Sequence, residues 1–255
     1  MRGAVGANLE QQTEQSRIES RSAAEFENHV LASEPRIAVF DCDGTLWAAD
    51  TGSEFLTWSL EQGLVSRETA DWILGRYSQY RQGLVTQTEI CGEMTQMYAG
   101  LREEELRSAV EKFCHGFVHP HIFEEMERVV KQLQIAGTKV WAVSSTNAWV
   151  VQAGAERFGI PPERVLGTRV LIRDGVATST LLAVPTGAAK VEALHEAGID
   201  KPDAVFGNSI HDAAMLAIAG RPYAVNPTPA LLELAHAEGW PVYWPEAVRP
   251  QSAAV

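Results

Sequence analysis

The first sustained pattern along the chain is Ile37-Ala38-Val39-Phe40, a continuous apolar run of strand length between Pro35 and Asp41. A strand covered on both faces reads this way, because neither face meets water and no alternation is imposed. Ahead of it, Ser22-Ala23-Ala24-Glu25 sets a hydroxyl three residues before a carboxylate, and Phe26, Val30 and Leu31 follow at helical spacing. That capping box predicts a short amphipathic helix ending before Pro35. From residue 52 to about 117 the periodicity is helical only: Phe55, Leu56 and Trp58 to Leu60, then Trp72 to Leu74, then a second capping box at Thr86-Gln87-Thr88-Glu89. Strand-like and helical runs then alternate. A helix to Gly137 precedes a strand at Val140-Trp141-Ala142-Val143, and a helix to Gly159 and a strand at Ala204-Val205-Phe206 come later. Such alternation predicts a parallel sheet with helices on its faces. Asp174-Gly175, between Val170-Leu171-Ile172 and Val176-Ala177-Thr178, predicts a two-residue hairpin turn.

The expected fold is therefore α/β, with a parallel-sheet core over residues 21–50 and 118–246 and an inserted all-helical segment over 51–117. Residues 1–20 and 247–255 read as tails, the first of them polar and without periodicity. A chain of 255 residues that is 45% hydrophobic can bury a sizeable core. Its formal net charge of −12 argues against nucleic acid as a partner, since phosphate-backbone binders need clustered Lys and Arg. An anionic substrate would have to be met by local positive charge and oriented N–H groups. Cysteine is limited to Cys42, Cys91 and Cys114 with no CxxC pair, which predicts neither a disulfide framework nor a structural zinc site and fits a reducing compartment. The start of the chain lacks the apolar region of a signal peptide, and no run approaches the roughly 18 apolar residues of a membrane span. The chain reads as cytoplasmic, with no membrane partner. The trio His115, His119 and His121 is not read as a metal site, because Pro120 breaks the element that carries it.

In an open parallel sheet, chemistry gathers where the strands' carboxyl ends meet the following loops. The places so marked are Asp41 to Thr45, Ser144-Ser145-Thr146, the Lys190 region and Gly207 to Asp212. Two carboxylates at i and i+2, followed by Gly44 and Thr45, leave the first strand in a loop that can turn both acids and several N–H groups toward one point. Phosphoryl transfer needs an in-line nucleophile, charge neutralisation and an acid for the departing alkoxide. Asp41 suits the nucleophile and Asp43 the acid.

These motifs together resemble the haloacid dehalogenase superfamily, specifically the phosphoserine-phosphatase-like phosphatases with a helical cap inserted after the first motif. The four motifs stand as Asp41-Cys42-Asp43-Gly44-Thr45, Ser144, Lys190, and Gly207-Asn208-Ser209-Ile210-His211-Asp212. The resemblance spans residues 36–246 and implies a Rossmann-like core, a small-molecule phosphate ester as substrate and Mg²⁺ as cofactor. It implies that Asp41 forms an aspartyl-phosphate while Asp43 protonates the leaving alcohol and then activates water. Thr45, Ser144, Ser145, Lys190 and His211 would hold phosphate, and Asp41, Asp43, Asn208 and Asp212 the metal. Asn208 departs from the family's acidic residue: it could ligate through its amide oxygen, or Asp212 could coordinate directly, and the site carries one less negative charge. Asp50 lies where the branch faces a substrate amine. The branch's carboxylate-gripping cap Arg has no counterpart at Glu93 or Met94, and Arg76 and Arg81 are off register. An amine-bearing alcohol phosphate without a carboxylate fits this pattern. The same motifs are also compatible with a catalytically weak phosphate-ligand-binding relative and with a phosphotransferase.

Overall fold

In the computed structural model the described residues are 22–249. The expected tail over residues 1–20 therefore lies outside them, as does the end of the tail over 247–255. The strands are β1 (Ile37–Phe40), β2 (Lys139–Asn147), β3 (Val165–Arg173), β4 (Val176–Ala183), β5 (Ala204–Gly207), β6 (Arg221–Val225) and β7 (Val242–Tyr243). The helices are α1 (Ala23–Leu31), α2 (Thr51–Glu61), α3 (Arg67–Arg81), α4 (Gln87–Gln96), α5 (Glu103–Phe113), α6 (Glu124–Ile135), α7 (Ala148–Glu156), α8 (Ala188–Glu196), α9 (Ala213–Ala217) and α10 (Pro229–Glu238). The strands form one seven-stranded sheet in the order β4-β3-β2-β1-β5-β6-β7. The β1/β5, β5/β6, β6/β7 and β2/β3 pairs are parallel and β3/β4 is antiparallel, so the mostly parallel α/β sheet expected from the sequence is present.

The chain divides into two units, one of Met1–Ala48, Phe123–Val140 and Lys201–Val255, the other of Ala49–Ile122 and Trp141–Asp200. In the first, Ala38, Val39 and Phe40 of β1 are wholly buried, as a strand covered on both faces must be. Phe40 stacks on Phe206 of β5 at 4.2 Å, and Phe206 on Tyr223 of β6 at 4.7 Å, so neighbouring strands are held in register by rings as well as by the ladder. The capping box of α1 forms as predicted, with Ser22 N donating to Glu25 at 2.8 Å and Glu25 N to Ser22 Oγ at 3.3 Å. It directs Phe26 onto Tyr243, with ring centroids 3.9 Å apart. Helix α6 buries Met126, Val129, Val130 and Leu133 along one face.

The second unit contains α2 to α5, α7, α8, most of β2, and the β3–β4 hairpin. The expected helical range 51–117 falls within it, and so do residues 141–200. The capping box at Thr86–Glu89 is formed, and α5 continues into a π-helix at Cys114–Val118. Asp174 and Gly175 have φ of 52° and 76°, the two positive values that a type I′ hairpin requires. The outer edge of β4 is partly covered: Gly100 N donates to Ala177 O, Ala177 N to Leu101 O and Glu103 N to Gly175 O, at 2.8 to 2.9 Å. Strands β6 and β7 were absent from the sequence expectation. β6 opens on Arg221-Pro222 and β7 is two residues long, so neither presents a periodic run.

Candidate active site

The loop after β1 is built by its own backbone. Asp41 N donates to Phe206 O at 2.8 Å, which holds the residue at the end of the β1/β5 pair. Cys42 O accepts from Thr45 N at 3.0 Å and from Leu46 N at 2.8 Å, and Gly44 N donates to Trp47 O at 2.8 Å, closing a tight turn. Gly44 has φ +75°, and a Cβ there would lie 1.8 Å from Asn208 Nδ2, so both conformation and space demand glycine. Within the turn, Thr45 Oγ1 donates to Asp41 Oδ2 at 2.9 Å; Thr45 is fully buried and Asp41 almost so. Thr45 thus orients the carboxylate expected to be the nucleophile. Asp43 Oδ1 accepts from the Trp47 indole Nε1 at 2.6 Å. Asn226, just after β6, donates from Nδ2 to Gly44 O at 3.1 Å.

The turn after β5 lies in the same unit. Asp212 is buried, and its Oδ2 accepts from Asn208 N at 3.0 Å, Ser209 N at 2.9 Å and Ser209 Oγ at 3.2 Å. It is the anchor of the loop that carries Asn208. Thr228 N fixes the other side by donating to Asn208 O at 2.7 Å. His211 sits half-buried in the short 3-10 turn Ile210–Asp212. Asp41, Asp43 and Asn208 bring carboxylate, main-chain carbonyl and amide oxygens, hard donors of the kind a small divalent cation prefers. Among the described residues no group of three or more His, Cys, Asp or Glu side chains is arranged for a metal ion.

The remaining candidate residues belong to the second unit. Ser144, buried in β2, accepts from Thr146 N through Oγ at 3.1 Å, and Ser145 O accepts from Thr168 Oγ1 at 2.6 Å. Lys190 lies in the first turn of α8 and is 1% exposed. Its Nζ donates to Val143 O at 3.1 Å, which joins this lysine to the strand residue just before Ser144. A buried ammonium is costly unless it is partnered. Asp50 caps α2 by accepting from Ser53 N at 3.1 Å. Around Gly52, Thr146 Oγ1, Asp50 Oδ1 and Met94 Cε lie 3.1, 3.4 and 3.8 Å from the place a Cβ would occupy. Arg76 Nε donates to Glu93 at 3.0 and 2.8 Å, and this pairing raises the guanidinium pKa above its ordinary value. The structure thus joins Asp41 with Thr45, Asn208 with Gly44 and Asp212, Lys190 with the Ser144 strand, and Asp50 with the neighbourhood of Thr146.

Sequence reasoning did not select Trp47 or Asn226 as site residues. Asn226 follows β6, a strand with no sequence signal, and its positive φ of 45° becomes visible only in the fold.

A family model described as haloacid dehalogenase-like hydrolase matches residues 38–217. The chain belongs to this family. It is 30% identical over 230 residues to the inhibition of morphological differentiation protein of Streptomyces azureus, covering 85% of this chain and 80% of that protein. It is 26% identical over 217 residues to a histidinol-phosphatase of Neisseria meningitidis, covering 81% of this chain and 97% of that one. A solved structure of a protein of unknown function from Bordetella pertussis is similar at TM-score 0.72 and 25% identity, over 82% of this chain and 97% of that chain. A substrate-bound phosphoserine phosphatase shares the fold at TM-score 0.56 and 20% identity, over 83% and 93% of the two chains. This haloacid dehalogenase-like hydrolase is therefore an enzyme, with a phosphatase among its relatives. Among the described residues no helix is long and apolar enough to cross a membrane.

Proposed function

We propose that the protein is a Mg²⁺-dependent phosphomonoester hydrolase working through an aspartyl-phosphate on Asp41. The observation that carries this reading is the loop after β1, where Asp41 is buried, oriented by Thr45 and followed at i+2 by a second carboxylate. In the first step an Asp41 carboxylate oxygen attacks phosphorus, the ester P–O bond breaks, and the proton of Asp43 passes to the leaving alkoxide. In the second, Asp43 takes a proton from water, the water oxygen attacks phosphorus, and the acyl-phosphate P–O bond breaks to release inorganic phosphate. Ser144, Ser145, His211 and the charge of Lys190 hold the phosphoryl oxygens. Asp41, Asp43 through its backbone carbonyl and Asn208 would hold Mg²⁺, with Asp212 in the donor set or anchoring it. When bound, the ion would neutralise phosphoryl charge. Residues 51–117 act as the cap over the substrate, and the enzyme works in the cytoplasm.

The substrate class is an amine-bearing alcohol phosphate without a carboxylate. Asp50 supplies the negative charge for the amine. Arg76, a cap cation suited to gripping a carboxylate, is already committed to Glu93 at 2.8 Å. Histidinol phosphate has this chemistry, and a histidinol-phosphatase is among the relatives. Asn208 favours a second reading, a weak relative that binds the phosphorylated ligand with little turnover, because one ligand charge is missing. A phosphotransferase would share the first step and pass the phosphoryl group to an alcohol. The test is phosphate release from histidinol phosphate, phosphoserine and simple alkyl phosphates, with and without Mg²⁺, for the wild type and Asp41→Asn. Metal-dependent release that vanishes in the variant supports the hydrolase. Ligand binding without release supports the second reading, and product formation that depends on an added alcohol supports the transferase.

A further inference from the structure

We propose that Trp47 is a positioning residue that holds the Asp43 carboxyl in a single orientation for acid–base chemistry. The inference rests on the aspartyl-phosphate reading above. Trp47 is fully buried, and its indole Nε1 donates to Asp43 Oδ1 at 2.6 Å, at the short end for N–H to carboxylate. An indole nitrogen donates and never accepts. While this bond stands, the Asp43 carboxyl is held in one orientation, with Oδ1 on the indole N–H and Oδ2 turned away from it. Breaking the bond would leave a desolvated donor inside the core, which makes the arrangement persistent. Gly44 N donates to Trp47 O at 2.8 Å, and Asp43 and Trp47 form an isolated bridge, so the turn that carries the acid also fixes the ring.

Both halves of the proposed reaction gain from this fixed orientation. In the first, the proton of Asp43 passes to the departing alkoxide. In the second, the same carboxyl takes a proton from the attacking water. A carboxyl free to rotate would present either oxygen and lose part of the advantage of fixed geometry.

The decisive variant places 3-benzothienylalanine at position 47, which keeps the fused ring but has sulfur where the N–H was; Trp47→Phe is the simpler companion. The readout is kcat/KM for an alkyl phosphate, whose leaving group needs a proton, beside p-nitrophenyl phosphate, whose leaving group does not. Positioned proton transfer contributes about 10² to 10⁴ in rate. The alkyl ester should therefore fall by about tenfold or more in the variant, while the aryl ester stays within about twofold. An equal fall for both esters, or no fall for either, overturns the role and leaves the hydrolase reading intact. If the wild type hydrolyses neither ester, the hydrolase reading itself fails and this role with it. A measurement independent of turnover is the Trp47 indole N–H resonance, identified by its loss in Trp47→Phe. It should lie far downfield and shift in Asp43→Ala, and an unmoved resonance overturns the contact.

Discussion

Replacing Gly44 by alanine separates two demands that this position meets at once. The residue has φ +75°, and an added Cβ would fall 1.8 Å from Asn208 Nδ2 and 2.7 Å from Asn208 Cγ. Gly63 is the internal control: its φ is +65°, but nothing lies within 4 Å of its Cβ position. Gly63→Ala should cost only the left-handed conformation, about 1 to 2 kcal/mol. Gly44→Ala should cost that plus displacement of the Asn208 amide. The Asn208 backbone is pinned by Asp212 and by Thr228 N, so the movement has to come from the side chain. A disturbed polar contact of this kind adds about 1 to 3 kcal/mol. Gly44→Ala should then melt several degrees below Gly63→Ala, at about 2 to 4 °C per kcal/mol for a protein of this size. Calorimetry supplies the melting temperatures, and phosphate release at several Mg²⁺ concentrations supplies the second readout. Gly44→Ala should lose about tenfold or more in kcat and need more Mg²⁺, because Asn208 is the displaced donor, while Gly63→Ala keeps wild-type kinetics. Equal melting temperatures with unchanged Mg²⁺ dependence in Gly44→Ala would refute the packing of Asn208 over this turn.

Asn208→Asp restores an anionic ligand and should lower the half-saturating Mg²⁺ concentration by about tenfold; an unchanged or higher value in a Mg²⁺ titration argues against Asn208 as a ligand. Lys190→Met keeps the buried aliphatic volume but removes the ammonium, so kcat/KM should fall by about 10² or more with the circular dichroism spectrum preserved. Activity within a few-fold of wild type would remove Lys190 from the site. Burial, with His115 and Arg157 adding to it and Glu156 opposing, holds the His119 imidazole below its ordinary pKa. The unfolded chain then binds that proton more readily, so stability falls as pH drops through about 6.5. His119→Gln should flatten the dependence of the urea midpoint on pH between neutrality and mild acid, and an unchanged slope contradicts this.

What the sequence made legible was local. Strand β1, both capping boxes and the Asp174-Gly175 hairpin are written in adjacent residues, where apolar runs, N-cap spacing and turn chemistry act over a few positions. Asp41, Asp43 and Lys190 stood out because they follow strands or open helices in a recognisable order. What was not legible was tertiary. The Trp47 indole reaches Asp43 only because the turn folds back on itself, and Asn226 reaches Gly44 across an interval of 182 residues. Asp50 presents its carboxylate to Ser53 N as a helix cap as well as lying near Thr146, a double use that spacing alone does not reveal. The weak signal of β6 hid the strand that Asn226 follows.

The central claim is that Asp41 carries the phosphoryl group. Its most direct test is rapid quenching of the wild type and Asp41→Asn during turnover of a ³²P-labelled ester, followed by peptide mapping of acid-stable, hydroxylamine-labile label. The account predicts label on the peptide containing Asp41 in the wild type and none in the variant. Phosphate release by Asp41→Asn at the wild-type rate, or label on a different peptide, would contradict it.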